Sequence, residues 1–189
     1  MPNNNDLNSY NVHDHLKDHD LETLRNINMQ ERLDFAVCLI NLRGDLNIGM
    51  IIRSACLLGA EKIIVVGKRK FDRRSCVGSQ NYIPIDKVGE FNENGFIDPE
   101  LFNNTMLENN YTPVFIETGG QTIDNFNVST LPASTKPCLV LGCEGKGINP
   151  VLMENSQHIY SIPQMGVLRS FNVSSAAAIA MWEMHKALK

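Results

Sequence analysis

The sequence predicts an α/β fold built on a mostly parallel sheet with helices on both faces, and three observations carry that prediction. From Phe35 onward, short apolar runs rich in Val, Ile, Leu and Phe recur along the chain. Stretches with helical spacing separate those runs. The runs read as buried strands, and strands alternating with helices of these lengths imply a mostly parallel sheet covered on both faces. At 189 residues the chain is long enough for one core without disulfides or metals, so a single domain with modest extensions is expected.

Taken in order, residues 1–34 are a polar extension rich in Asn, Asp and His, its first half a flexible tail and Asp20–Leu33 a short helix. His13, His15 and His19 in the run HDHLKDHD are residues of the metal-binding type. A solvated polar tail is by far the commoner origin of such a run, and no metal is assigned. The domain proper covers residues 35–189. Phe35–Ile40, Lys62–Val66, Thr112–Ile116, Pro137–Leu141 and His158–Ile162 are the expected strands. Gly49–Leu58 and Asp98–Glu108 have helical spacing, the second opened by an Asp98 cap and a first-turn Pro99. A last helix, from Asn172 to Leu188, starts with Ser174, Ser175, Ala176, Ala177 and Ala178. Side chains that small permit close packing, either in the core or across a subunit interface.

A net charge of −4, with 43% hydrophobic and 20% charged residues, is ordinary for a globular chain and argues against one that coats nucleic acid by bulk charge. No apolar run approaches bilayer length, and the start MPNNNDLNSYNVHDH lacks the apolar core of a secretory signal. The expectation is a cytoplasmic protein with no membrane partner. Cys38, Cys56, Cys76, Cys138 and Cys143 lack CxxC spacing and mostly sit in apolar segments, as free core thiols do. Positive charge is concentrated locally: Lys68, Arg69, Lys70, Arg73 and Arg74 fall close together, forming either a phosphate-facing patch or an ordinary solvated loop.

Ligands of open parallel sheets bind beyond the carboxyl ends of the strands, which directs attention to three loops. The loop after Ile40 reads NLRGDLNIGMIIRSACLLGA, with Asn47 and Gly49 at a helix start and Arg53 about one turn inside it. An ordinary cap with a surface arginine would look the same. The loop after Leu141 reads GCEGKGINP and is neither a P-loop nor a GxGxxG motif. Gly142, Gly145 and Gly147 permit close backbone approach, and Glu144 between them suits a cationic ligand better than a polyphosphate. The loop after Ile162 gathers Ser170, Asn172 and Ser174 at a helix start, more polar groups than capping alone requires.

In this order and spacing the three loops resemble the SpoU/TrmH family of the SPOUT class of RNA methyltransferases, from about Phe35 to the C-terminus. Asn47, Gly49 and Arg53 match the first motif, and Leu141, Gly142, Glu144, Gly145 and Gly147 match the second. Ile162, Pro163, Gly166, Ser170, Asn172 and Val173 match the third. The run IPQMGVLRSFNVSSAAAIAMWE further resembles the branch that methylates the D-loop guanosine of tRNA.

The resemblance implies a deep trefoil knot in the C-terminal part, which no pattern of runs would suggest. It also implies a homodimer whose sites are built near the interface from both subunits. S-adenosylmethionine is the implied cofactor, held bent by backbone groups of the second and third motifs, with Thr118, Leu141, Gly142, Ile162 and Phe171 lining its site. The family usually has leucine at the position of Phe171. The implied reaction is methyl transfer to a ribose 2′-hydroxyl, with Arg53, Glu144, Ser170 and Asn172 as catalytic residues. A guanidinium stays protonated far above neutral pH, so Arg53 is read as an activator: its charge lowers the hydroxyl's pKa and holds the adjoining phosphate. Asn47, Arg53, Lys68, Arg69, Lys70, Arg73 and Arg74 are the expected RNA contacts. With only about 34 residues, mostly polar, before the first strand, recognition is expected to rest on the domain, the tail and the basic loop, which favours a compact tRNA over an rRNA site. The alternatives are a catalytically silent RNA-binding relative and a nucleotide-binding α/β enzyme of another class.

Overall fold

The computed structural model describes residues 11–40, 42, 44–67, 71–89, 97–143 and 145–189. Among the described residues six strands form one sheet: β1 (Ala36–Ile40), β2 (Lys62–Val66), β3 (Ile85–Val88), β4 (Tyr111–Thr122), β5 (Lys136–Leu141) and β6 (Ile159–Ser161). Their order is β3-β2-β1-β5-β4-β6, and every neighbouring pair is parallel. All five expected strands are present. The sixth, β3, is invisible to a search for apolar runs because its sequence is IDKV, with the two central residues exposed at the sheet edge.

Six α-helices among the described residues flank the sheet: α1 (Leu21–Gln30), α2 (Asp45–Leu57), α3 (Arg73–Cys76), α4 (Pro99–Glu108), α5 (Pro150–Met153) and α6 (Val173–Leu188). The first strand shows how the layers arise. Val37 and Leu39 face Ile48, Ile51 and Ile52 of α2 and Ala177, Ala180 and Met181 of α6. Ala36, Cys38 and Ile40 face Phe102 and Met106 of α4 and Leu152 of α5. Successive side chains of a strand point to opposite faces, so an unbroken apolar run feeds two cores at once. The cysteines are free thiols, four of them buried. Among the described residues no helix is long and apolar enough to cross a membrane.

Two helix boundaries differ from expectation. The first is α2, which begins at Asp45, four residues before Gly49, so Arg53 stands about two turns inside the helix and not one. Gly49 is a packing residue: a Cβ there would fall 1.8 Å from Ser75 Oγ and 3.0 Å from the Asp72 carbonyl oxygen. Its absence lets α2 press against the α3 turn. The second is α1, which ends at Gln30, three residues before Leu33. Asp20 caps it by accepting from the Thr23 amide at 2.7 Å, and Leu24 is buried. Arg25 Nε donates to the Asn81 carbonyl at 2.7 Å and Asn28 Nδ2 to the Tyr82 carbonyl at 2.9 Å, so this helix is docked on the domain.

At the amino ends of the central strands, opposite the three loops, lies a polar cluster. Tyr111 donates to Glu61 Oε1 at 2.6 Å, while Lys136 Nζ lies 2.8 Å from Glu61 Oε2 and 2.9 Å from Asp34 Oδ1. Burial, and then the Glu61 carboxylate, hold the Tyr111 phenol neutral to higher pH than usual. Burial likewise pushes the Cys76 thiol up to about 11. A raised folded value means that the stabilisation is whole below the group's ordinary pKa and is lost as pH climbs above it. The urea midpoint is therefore expected to fall between about pH 9 and about pH 11, and Tyr111→Phe to flatten that fall. A Tyr111→Phe variant with the wild-type slope would remove Tyr111 from the account.

Candidate active site

The chain lays down β1, β2 and β3 in one direction, crosses to β4, and returns to place β5 beside β1. Strand order therefore reverses between β1 and β5, where the loops at the carboxyl ends diverge and leave a crevice. The first and second sequence motifs follow β1 and β5, so pairing of those two strands brings them together despite about a hundred residues of separation.

Next to this crevice a cleft of about 450 Å³ opens beyond the ends of β4, β5 and β6. That volume is within the usual range for small-molecule sites. Each strand contributes by a different device. In β4, Tyr160 lies opposite both Ile116 and Gln121, so residues 117–120 leave the ladder as a bulge. Such a bulge re-aims side chains, and here it carries Glu117 and Thr118 into the cleft. Gly119 adopts φ +85°, and a Cβ on Gly120 would fall 2.5 Å from the Ile159 carbonyl oxygen, so the GG pair is what the bulge requires. After β5, the Gly147 amide donates to the Cys143 carbonyl at 2.8 Å and closes a tight turn whose far side covers Gly142. After β6, Ile162 and the stretch through Ser170 and Phe171 form the remaining wall.

Asn172 joins the third loop to the first. Its Oδ1 accepts from the Ser174 amide at 2.9 Å and the Ser174 hydroxyl at 2.6 Å, while its Nδ2 donates to Asn47 Oδ1 at 3.2 Å. One side chain thus caps α6 and ties it to α2. Capping and this tie account for Asn172 and Ser174, while Ser170 lines the cleft.

Thr118, Leu141, Gly142, Ile162 and Phe171, the five expected cofactor positions, all line the cleft, and Ser170 lines it with them. Arg53 does not. It lies six residues past Asn47, about 9 Å along α2 and roughly 120° around it. There it borders a separate cavity of about 560 Å³, beside Leu16, Ile27 and Asn28 of the N-terminal extension and Cys56 and Tyr82 of the domain. Of the basic cluster, Arg73 is exposed, and Arg74 is bound to Asp72 at 2.9 Å, which offsets its charge locally. Glu144, Lys68, Arg69 and Lys70 lie outside the described residues. The sequence reading missed Glu117, Gln164 and Arg169, which also line the cleft. For Glu117 a signal was present: a charged residue and two glycines, ETGG, directly after an apolar run.

Fold and cleft together define a parallel α/β protein with a small-molecule site at the carboxyl edge of its sheet. The chain belongs to the SpoU rRNA methylase family, whose model matches residues 34–182. It is 28% identical over 177 residues to an uncharacterised tRNA/rRNA methyltransferase of Borreliella burgdorferi, covering 89% of this chain and 71% of that protein. An AdoMet-bound rRNA methyltransferase from Sinorhizobium meliloti superimposes with a TM-score of 0.69 at 27% identity, over 88% of this chain and 60% of that one. A TrmH/SpoU tRNA modifying enzyme of A. aeolicus has a TM-score of 0.70 at 21% identity, covering 88% and 81% of the two chains, and shares the fold. This chain thus spans less than two thirds of the Sinorhizobium chain.

Proposed function

We propose that this chain is an S-adenosylmethionine-dependent RNA methyltransferase forming 2′-O-methylribose, acting as a cytoplasmic homodimer on a D-loop guanosine of tRNA. The observation that carries the reading is the convergence of Thr118, Leu141, Gly142, Ile162 and Phe171, from three separated loops, on one cleft. The residues there fit the cofactor. Leu141, Ile162 and Phe171 offer apolar surface to a purine, and Glu117 offers negative charge to a cation. The AdoMet-bound Sinorhizobium neighbour supports the same assignment. When bound, S-adenosylmethionine supplies a methyl group on a cationic sulfur.

The chain's own residues supply alignment and charge. Asn172 fixes the start of α6 and with it the Ser170–Phe171 stretch beside the cleft, and Ser170 orients the reacting ribose. Arg53 belongs to a stripe on α2 with Leu46, Met50 and Leu57, which are 61%, 51% and 73% exposed, and Trp182 of the adjoining α6 is half exposed. Positions 46, 50, 53 and 57 share one helix face. A second copy covering that apolar face would receive Arg53 at its own cleft, where the guanidinium holds the RNA phosphate and lowers the pKa of the ribose hydroxyl. Glu144 enters this site on sequence grounds alone, and Arg73 with Lys68, Arg69, Lys70 and Arg74 forms the RNA-facing patch. A trefoil knot belongs to the same reading, supported by the return of α6 from beyond β6 to pack on β5 and α2.

The D-loop guanosine rests on the resemblance of the run from Ile162 to Glu183. Ribose methylation mapped across total RNA, with and without the active protein, is expected to gain a signal at one D-loop guanosine of tRNA. A gain confined to one rRNA position would move the substrate to rRNA. Cofactor binding with no ribose change anywhere would leave a silent RNA-binding relative.

A further inference from the structure

The bulge in β4 is a binding device, and we infer that its Glu117 carboxylate is the cleft's cation-recognising group, holding the positively charged methionine end of the cofactor. The inference rests on the cofactor reading above and goes one step beyond it, because Glu117 belongs to none of the three motifs.

Three observations converge on it. Residues 117–120 give up four positions of sheet pairing, and the strand pairs again from Gln121 in a shifted register, with Gly119 at a positive φ that other residues rarely adopt and Gly120 where a Cβ would strike the Ile159 backbone. Forgoing ladder hydrogen bonds is unfavourable unless what the bulge presents is used. What it presents is Glu117 and Thr118, at the cleft wall. The carboxylate is also positioned from the opposite side: both its oxygens would lie 3.2 Å from a Cβ on Gly147, so the second loop's glycine leaves it room. Finally, Glu117 is half buried, and no cation among the described residues answers its charge. Its one protein hydrogen bond among the described residues is from the Thr118 hydroxyl at 3.5 Å, and neither Glu117 nor the cleft's Arg169 enters an ion pair among them. A partly desolvated carboxylate without a cation is unfavourable, and a cationic ligand removes that penalty.

Glu117→Gln keeps the side chain's shape and removes its charge. Calorimetric titration of wild type and variant with S-adenosylmethionine, and with 5′-methylthioadenosine, which keeps the nucleoside and carries no charge, tests the assignment without any RNA. Loss of one charge-assisted contact should weaken S-adenosylmethionine by about tenfold or more. Affinity for 5′-methylthioadenosine should stay within about twofold, because that ligand makes no such contact. Glu117→Asp should recover part of the loss. Unchanged S-adenosylmethionine affinity would overturn the inference, as would an equal loss for both ligands, which would assign Glu117 to the shape of the cleft. If wild type binds neither ligand, it is the cofactor reading itself that fails.

Discussion

Arg53→Ala is expected to lower methyl transfer by about two to three orders of magnitude, the usual effect of removing one charge-stabilising donor from a reacting centre. Affinity for S-adenosylmethionine should be unchanged, because Arg53 borders a different cavity from the cofactor cleft of its own chain. Arg53→Lys should restore little, since an ammonium cannot match the planar fork of a guanidinium on a phosphate. The same geometry makes a sharper demand. If Arg53 acts in the partner's cleft, an Arg53→Ala chain and a chain with a blocked cleft, such as Ile162→Arg, complement each other. In a two-fold dimer of the two variants, one site carries both defects and the other carries none. Random mixing places half of all chains in such dimers, so activity should return to about a quarter of wild type from two nearly inactive preparations. No recovery on mixing, with heterodimers demonstrated, would place Arg53 in the cleft of its own chain through a rearranged α2.

The parts of this molecule that were legible in the sequence share a physical character. Buried strands such as Lys62–Val66 announce themselves because both faces must be apolar, and Asp98 with Pro99 marks a helix start because capping chemistry is local. Thr118, Leu141, Gly142, Ile162 and Phe171 were placed by resemblance, and the topology explains why they meet: β5 lies between β1 and β4, and β6 adds to the far side of β4. What stayed hidden depends on long-range placement. Nothing near Ile85–Val88 says that it completes an edge, because an edge strand needs only half a core. Gly49 read as part of a helix start, whereas its constraint comes from Ser75 and Asp72 across a helix contact that no local pattern encodes. Long-range packing likewise sets where Arg53 stands, about two turns inside α2. The residue that ends α2's apolar first turns is visible in sequence, but the cavity it borders is made by α1 and by the segment after α3. Glu117 lay within reach, had the GG pair after an apolar run been read as a bulge.

Gly142→Ala is expected to do more damage than its single methyl group suggests. The added Cβ would lie 2.4 Å from the Gly147 carbonyl carbon, 2.6 Å from its oxygen and 2.6 Å from the Ile148 nitrogen. These are main-chain atoms of a turn already closed by the Gly147 amide on the Cys143 carbonyl, so no side-chain rotation relieves the overlap. The turn must shift bodily, and it is anchored at Ile148, which is buried against the α4 face of the sheet. Overpacking of this kind costs about 1–3 kcal/mol. For a chain of this length that corresponds to a fall in melting temperature of roughly 2–12 °C. The functional loss should be larger than the thermodynamic one. Moving Gly147, itself part of the cleft wall, displaces the surface beside Glu117, and saturable S-adenosylmethionine binding should be lost even at temperatures where the variant is folded. Gly145, three residues on in the same loop, provides the comparison. A Cβ there meets no heavy atom within 4 Å, so Gly145→Ala should melt within about 2 °C of wild type. Equal melting temperatures for the two alanine variants would mean that the turn yields freely, and the close approach at Gly142 would then not be what shapes the cleft.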